Sequence, residues 1–233
     1  MYKKIYIILL ILVTGIIVSC NKTENQEITN AKDEAITNLS DKNWKKVMDK
    51  KHFWSIIEKA KNTDSEIMYL NLINEISKLS EDEVIVFNAY IGSYTEITND
   101  TIWVDMACKV INGYVSDDTG LYFSLWLIAQ GEATLLNALK DPDSLSELPK
   151  IPFGNAEFEM LMSIGMNENT DYEKIISISE KIVEEINPGI IIKNGKKYGD
   201  YKSFEDAMKD IPNILPKLIK RAERNGFDWK NYI

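Results

Sequence analysis

The sequence predicts an all-α protein: a single helical domain of roughly eight to ten helices, with one small β-hairpin allowed near residues 190–198. Apolar side chains recur at spacings of three and four residues almost throughout the chain, which is the period of an amphipathic helix. Residues that start helices, Asp and Ser above all, stand just before several of these stripes. Long strands do not alternate with helices, so a doubly wound sheet is not expected. The hairpin rests on Asn194-Gly195, which suits a type I′ turn.

The helices of the first half are predicted in order from their start signals and stripes. Asp49 is expected to cap the first helix, and Asp64 or Ser65 the second. The run 80–83, Ser-Glu-Asp-Glu, places acidic residues in the first turn of the third. The stripes are Phe53, Ile56, Ile57 and Ala60; Leu72, Ile73, Ile76 and Leu79; Val84, Phe87, Ile91 and Tyr94; Trp103, Ala107, Val110, Ile111 and Tyr114; and Leu121, Tyr122, Leu125, Trp126 and Ile128, followed by a short helix over 134–139.

The second half begins with a turn-rich connection. Residues 141–154 hold three prolines and one glycine, so an internal boundary would be expected there. The helices predicted beyond it are one from about Asn155 with Phe158, Leu161 and Met162; a longer one with Tyr172, Ile175, Ile178, Ile182 and Ile186; and a closing pair, broken near Pro212 and Pro216, with Phe204, Met208, Leu215, Leu218 and Ile219.

Composition and charge exclude several classes of function. Lys plus Arg is 27 and Asp plus Glu is 36, a net charge of −9, so a nucleic-acid partner is not expected. His52 is the single histidine, which excludes a two-histidine zinc site, and it lies beside lysines on what reads as a solvated face. The chain has no phosphate-binding loop, dinucleotide turn or Cys-x-x-Cys motif, so neither a metal nor a cofactor is expected.

The N-terminus has the layout of a bacterial lipoprotein signal peptide. Lys3 and Lys4 precede an uncharged, mostly apolar run over 5–18 that is too short to span a membrane comfortably. Ile17-Val18-Ser19-Cys20 resembles a lipobox, in which the cysteine thiol accepts the lipid. The alternative is an ordinary secretory signal with an incidental cysteine. Cys108 has no partner within the chain once Cys20 is acylated, so no disulfide is expected.

These features define the expected organisation of the chain. We expect a signal peptide over 1–19, the lipidated Cys20 with a flexible tether over 20–42, and the helical domain over 43–233. The partner would be the lipid membrane, reached through acyl chains such as palmitate, because two or three chains anchor stably. Loss of residues 1–19 removes two lysines and leaves a net charge of −11. We expect the domain to be tethered to a bacterial cell membrane or outer membrane, outside the cytoplasm. Because the domain is so acidic, we do not expect it to lie flat on that membrane.

The most distinctive stretch is the turn Ser116-Asp117-Asp118, which has two interpretations. One residue of the three can cap the next helix while the others add favourable charge at its positive end. Alternatively, the two carboxylates bind a cation or an amine. Trp126 and Gln130, further along the same predicted helix, complete this set of candidate ligand-binding residues.

The aromatic side chains around this stretch also have two interpretations. Trp103 and Trp126 lie on neighbouring predicted helices, with Tyr114 and Tyr122 close by in sequence. They either pack in the core or line a groove for a sugar or a peptide.

Several motifs in a fixed order resemble the bacterial family called domain of unknown function 4240. They are Asp49-Lys-Lys-His-Phe53-Trp54-x-x-Ile57; Ile111-Asn112-Gly113-x-x-Ser116-Asp117-Asp118; Phe123-x-x-Trp126-Leu127-Ile128-Ala129-Gln130-Gly131; Asp141-Pro142-Asp143-Ser144-Leu145; and Pro212-Asn-Ile-Leu-Pro-Lys-Leu218. The family-like region runs from about 47 to 224. The family commonly has Gly, Asp and Arg where this chain has Thr119, Tyr122 and Ser124, so a charged pair is missing here. The resemblance implies a single helical domain and no particular activity.

Three functional hypotheses follow. The first is a membrane-anchored lipoprotein that acts as a non-catalytic binding or protein-interaction module of the cell envelope. The second is a hydrolase that uses Asp117 or Asp118 with a second carboxylate across a cleft, acting on an envelope substrate. The third is an immunity-type partner of another protein.

Overall fold

The computed structural model describes residues 39–99, 101–186 and 201–230 and confirms the all-α fold. Within these ranges there is no strand, and the hairpin predicted near 190–198 lies outside them. The α-helices, in chain order from α1 to α11, are Trp44–Val47, Lys50–Ala60, Ser65–Ile76, Glu81–Asn99, Ile102–Asn112, Asp117–Ala129, Glu132–Lys140, Tyr172–Ile186, Phe204–Lys209, Ile211–Ile214 and Pro216–Arg224. Two 3₁₀ helices, Pro142–Glu147 and Glu159–Leu161, lie between α7 and α8.

The core is built around α6, which packs against α4 and α5. Nine of its thirteen residues are buried, so this helix is enclosed on nearly all sides. On the far side of α4 lies α8, where Ser93 Oγ donates to Ser179 O over 3.1 Å and lies 3.0 Å from Ser179 Oγ. Small side chains at this contact let the two helices approach closely: a Cβ on Gly92 would lie 3.3 Å from Ser179 Oγ.

The predicted start signals of the first helices are confirmed. Asp49 Oδ1 accepts from the backbone N–H of His52 over 2.7 Å, and Asp64 Oδ1 accepts from those of Glu66 and Ile67. Ser80 and Glu83 form a reciprocal capping box, with Ser80 N donating to Glu83 Oε2 over 2.8 Å. The capping bonds at these helix starts are therefore local and do not depend on tertiary contacts.

The helix predicted from about Asn155 is wrong. Four backbone groups in this segment bond to other elements. Gly154 N donates to Ile111 O over 2.8 Å, and Phe158 N donates to Tyr122 O over 3.1 Å. Between them, the Asn112 side chain accepts from Ala156 N over 2.8 Å and donates to Ala156 O. The segment is therefore held against α5 and α6, and only a 3₁₀ turn over Glu159–Leu161 remains.

The 141–149 segment and the last helix are joined by a clamp. The Asp143 carboxylate is 5% exposed and accepts from the backbone N–H groups of Lys217 and Leu218, over 3.2 and 2.8 Å. The Arg221 guanidinium donates to Ser146 O and Pro149 O, over 2.5 and 3.2 Å. The turn-rich connection is thus tied to α11, and the predicted closing helical pair is three short helices, α9 to α11.

Two side chains are placed differently from the sequence expectation. Leu39, within the expected tether, is 3% exposed and belongs to the core. Ile73, expected in a buried stripe, is 42% exposed. None of the described helices is both long and apolar enough to cross a bilayer.

Candidate functional site

The predicted Ser116-Asp117-Asp118 turn opens α6, and Ser116 is its cap. Ser116 Oγ accepts from Thr119 N over 3.2 Å and lies 2.8 Å from Thr119 Oγ1. Asp117 and Asp118 are the first two helical residues; both are exposed and neither caps the helix. Their carboxylates stabilise the positive end of the helix only through its dipole, so they stay available to a ligand.

Five carboxylates surround this helix start, and we call them the acidic face: Asp105, Asp117, Asp118, Glu157 and Glu159. The phenol of Tyr122 donates to Glu159 Oε1 over 3.3 Å and that of Tyr114 donates to Glu157 Oε1 over 3.5 Å. Burial raises the pKa of Tyr122, and the negative charges of Glu159, Asp118 and Glu157 raise it further. None of the five carboxylates forms an ion pair with a lysine or arginine in the part of the chain that the structure describes.

Asp105 is a half-buried member of the acidic face. Its Oδ1 lies 3.7 Å from the point that a Cβ on Gly120 would occupy, so it faces the first turn of α6. Burial, with a smaller contribution from the charge of Asp117, raises the pKa of Asp105 to about 7. A carboxyl group that titrates near neutral pH at a cluster of acids is a common mark of a functional site.

Asp105 was missed in the sequence analysis, although one signal was present. It is the single acidic residue in Ile102-Trp-Val-Asp-Met-Ala-Cys108, an otherwise apolar stretch of α5. A charge inside such a stretch must be paired, protonated or turned toward an edge of the core. The pattern therefore identifies an unusual acid, but only the fold brings it to the start of α6.

Cys108, behind the acidic face, has the environment of a core thiol. It is fully buried, and its Sγ lies 3.7 Å from Tyr114 O and 3.8 Å from Asn112 Nδ2. Burial, followed by the charge of Asp105, raises the pKa of the thiol. Because the thiolate is the nucleophilic form, Cys108 is unsuited to covalent catalysis.

The other predicted site residues are separated from the acidic face. Trp126 is 7% exposed and stacks on Phe123 with ring centroids 5.3 Å apart, and Trp103 is 2% exposed, so neither lines an open groove. Gln130 lies beyond the far end of α6, where its Nε2 donates to Trp126 O over 3.2 Å. Gln130 comes thirteen positions after Asp117, a distance of about 20 Å along the helix axis. The structure therefore brings together Ser116, Asp117 and Asp118, but not Trp126 and Gln130.

Two cavities lie elsewhere. One, of about 500 Å³, is formed by α3, the starts of α4 and α8, and the loop before α8. A smaller one, of about 170 Å³, is lined by residues of α7 and of the 144–149 segment. Neither is lined by a residue of the acidic face. Among the described residues, no three His, Cys, Asp or Glu side chains are arranged to hold a metal ion.

Fold and site together define an all-α domain with an acidic face at the start of α6 that has no lysine or arginine partner among the described residues. The chain belongs to the family described as "Protein of unknown function (DUF4240)", whose model matches residues 48–184, more than half of the chain. The match begins one residue from the expected start and includes the whole acidic face. It ends before α11, so the closing motif expected near 212–218 is not part of it. No curated protein and no solved structure matches the chain significantly.

Proposed function

We propose that this protein is a lipoprotein of the bacterial envelope, anchored through Cys20, and that its helical domain is a non-catalytic binding module. The acidic face binds a basic segment of a partner protein. The lipobox-like run 17–20 supports the anchor, and the carboxylates around Asp117 support the binding role.

One observation carries the binding role: the five carboxylates of the acidic face have no cationic partner among the described residues. Like charges held together destabilise a fold, and burial of Asp105 adds to that cost. Ser116 already caps α6, so the helix start needs neither Asp117 nor Asp118 for its hydrogen bonds. Side chains that oppose stability in this way are typical of surfaces kept for binding.

The shape of the surface favours a protein partner over a small substrate. Asp117, Asp118 and Glu159 are exposed, and neither of the two cavities described above reaches them. A hydrolase would need a cleft with a second carboxylate across it. The hydrolase alternative therefore gains no support, whereas a flexible basic segment can lie along an open face and pair with several carboxylates. An immunity-type partner would be one case of such a module.

The binding role is tested by capture from envelope extract with the purified full-length chain. The matched variant carries Asp117→Asn, Asp118→Asn, Glu157→Gln and Glu159→Gln, which remove charge with little change of shape. We expect the native chain to retain a partner with a basic segment at low salt and to release it at high salt. The variant should not retain this partner. Retention of the same proteins by both chains would show that the acidic face is not the binding surface.

The anchor is tested separately with Cys20→Ala in the bacterial source. We expect the native chain to incorporate a labelled palmitate and to sediment with membranes, and the variant to do neither. Palmitate incorporation that persists in the variant would remove Cys20 as the lipidation site. A variant that stays in the membrane fraction would show a different attachment.

A further inference from the structure

Helix α3 is apolar on two opposite faces, although it lies at the edge of the domain. Met68, Leu72 and Ile76 are buried against the rest of the fold, where α3 packs mainly on α2. On the opposite side Ile67, Leu70 and Ile73 are 46%, 65% and 42% exposed. These three have a spacing of three residues, so they form one continuous stripe. An apolar stripe left exposed on a helix whose opposite face is already buried indicates that this outer face is covered in use.

The stripe leads into the 500 Å³ cavity described above, and together we call them the α3 groove. Ile73 belongs to both, and Ile76, Val84 and Ile164 continue the apolar lining inward. The volume is within the usual range for sites that accept side chains of a ligand. The stripe extends along α3, a helix about 18 Å long, and the pocket lies at the end of the stripe, where Ile73 lines it.

The wall of this pocket is already held in place. Asn88 Nδ2 donates to Ile164 O over 2.9 Å within the core. Gly165 has a φ of +74°, and a Cβ there would lie 2.5 Å from Ile76 Cγ2, so only glycine lets the loop approach α3 this closely. Asp171 Oδ1 accepts from Lys174 N over 3.0 Å and starts α8. A preformed wall lowers the entropy cost of binding.

The charges around the α3 groove favour a basic partner over a second copy of the chain. Asp64 and Glu66 lie at one end, and Glu81 and Asp82 at the other, and within the described residues none of the four has a cationic partner. By contrast, Lys174 lies 3.4 Å from Asp171, and Lys78 pairs with Glu75. Both ends of the groove are therefore acidic. A second copy of the chain would bring the same acidic ends against them, whereas basic residues would be complementary.

We propose that the α3 groove binds an amphipathic helix of a partner protein, with apolar residues along one face and Lys or Arg at both ends. The apolar face covers Ile67, Leu70 and Ile73, and one larger side chain enters the pocket beside Ile76. The basic ends lie against Glu66 at one end and Glu81 at the other. This surface is separate from the acidic face, and the proposal does not depend on the function proposed above.

The test uses a labelled synthetic helix of about 16 residues, with Leu at i, i+3, i+4 and i+7 of one face and lysines at both ends. It is titrated by fluorescence anisotropy against the full-length chain in phosphatidylcholine vesicles, with empty vesicles as the baseline. Two control peptides keep the composition but scramble the face, or replace the lysines by glutamates. We expect binding of the first peptide only, weakened at high salt.

The protein variants are matched within the chain. Leu70→Ser removes the most exposed residue of the stripe, and we expect it to weaken binding by roughly tenfold or more. Met160→Ser removes a comparable exposed side chain outside the groove and should leave binding unchanged. Glu81→Gln with Asp82→Asn should weaken binding and its salt dependence, while Glu205→Gln with Glu223→Gln, two exposed acids outside both the α3 groove and the acidic face, should change neither.

Three results would overturn the proposal. The first is no binding of the peptide to the native chain, or equal binding by the Leu70→Ser chain. The second is self-association of the native chain that Leu70→Ser abolishes in sedimentation, which would assign the groove to a second copy. The third is attachment of the Cys20→Ala chain to vesicles that is lost on Leu70→Ser, which would assign it to a lipid surface.

Discussion

The starts of α6 and α11 show two uses of an aspartate at a helix N-terminus. At α11 no residue of the helix start supplies a side-chain cap, and the acceptor is Asp143, which lies 74 and 75 positions earlier in the chain and is 5% exposed. At α6 the adjacent Ser116 is the cap, and Asp117 and Asp118 point to solvent. The same chemical group is thus a structural acceptor in one region and an exposed charge in the other.

The difference shows which carboxylates can be exchanged without loss of the fold. Asp143 accepts from two backbone N–H groups at the start of α11, and that of Leu218 would otherwise be buried without an acceptor. The carboxylates of the acidic face satisfy no comparable groups, and the half-buried Asp105 has no hydrogen bond to a described residue. Stability and function should therefore separate: variants at Asp143 should destabilise the fold, and variants of the acidic face should affect binding and pH dependence.

The largest effect is expected for Asp143→Ala. It leaves the N–H groups of Lys217 and Leu218 unpaired and removes two charge-assisted hydrogen bonds, so we expect the free energy of unfolding to fall by about 3 kcal/mol. Asp143→Asn keeps one oxygen acceptor and should lose about half as much. Urea unfolding followed by tryptophan fluorescence measures both. A loss below about 1 kcal/mol for the alanine variant would mean that the clamp does not hold α11.

The next largest effect, of opposite sign, is expected for Asp105→Asn at alkaline pH. The unfolded chain releases the Asp105 proton near pH 4, whereas the folded chain holds it until about pH 7. The native chain therefore loses stability as the pH rises through this window, and the loss is complete above it. The asparagine variant lacks this dependence and should be more stable than the native chain by about 2 kcal/mol at about pH 8. The gain is partial because the neutral amide avoids the cost of burying a charge but is still a polar group that loses contact with water.

Urea titrations of both chains at about pH 4, 6 and 8 check this prediction. At the lowest pH, where Asp105 is protonated in the folded chain, the native chain should be the more stable of the two, and the order should reverse as the pH rises. Parallel curves, or a native chain that becomes more stable at alkaline pH, would show that Asp105 is not protonated in the fold at neutral pH.

A smaller loss is expected for Ser116→Ala, about 1 kcal/mol, the usual cost of removing an N-cap. Ser116→Asn keeps an acceptor and should restore most of it. Thermal melts show the difference as a shift of a few degrees. An unchanged melting temperature for the alanine variant would indicate that Ser116 is not the effective cap and that Thr119 supplies it, since its hydroxyl lies 2.8 Å from Ser116 Oγ.

How much of the fold and site the sequence predicts depends on how far apart in sequence the interacting residues lie. The capping oxygens of Asp49, Asp64 and Ser80 accept from N–H groups at most three residues further along, so local patterns predict these caps. The Asp143 clamp and the Asn112 bonds to Ala156 join residues more than 40 positions apart, and no local pattern carries that information. The same holds for the site: the Ser116-Asp117-Asp118 turn was found as a motif, whereas Asp105 joined it only through the packing of α5 on α6.

The long-range bonds also explain the helix wrongly predicted from about Asn155. Phe158 and Leu161 have helical spacing and are buried, as an amphipathic helix requires. Their segment nevertheless gives its backbone bonds to Ile111, Asn112 and Tyr122. Burial of the apolar side chains is the same in both arrangements, so periodicity alone could not distinguish them.

The smallest effects on stability are expected for Asp117→Ala and Asp118→Ala, at most about 0.5 kcal/mol each. Each loses a favourable interaction with the helix dipole and gains relief from neighbouring carboxylates, and these two contributions oppose each other. The two variants should still differ in one respect, because the charge of Asp117 raises the pKa of Asp105 and that of Asp118 is not among its causes. NMR titration of the Asp105 carboxyl should therefore give a lower pKa in Asp117→Ala than in Asp118→Ala. A loss of 1 kcal/mol or more in either variant, with no change at Asp105, would make that aspartate a structural acceptor like Asp143 and remove it from the acidic face as a binding residue.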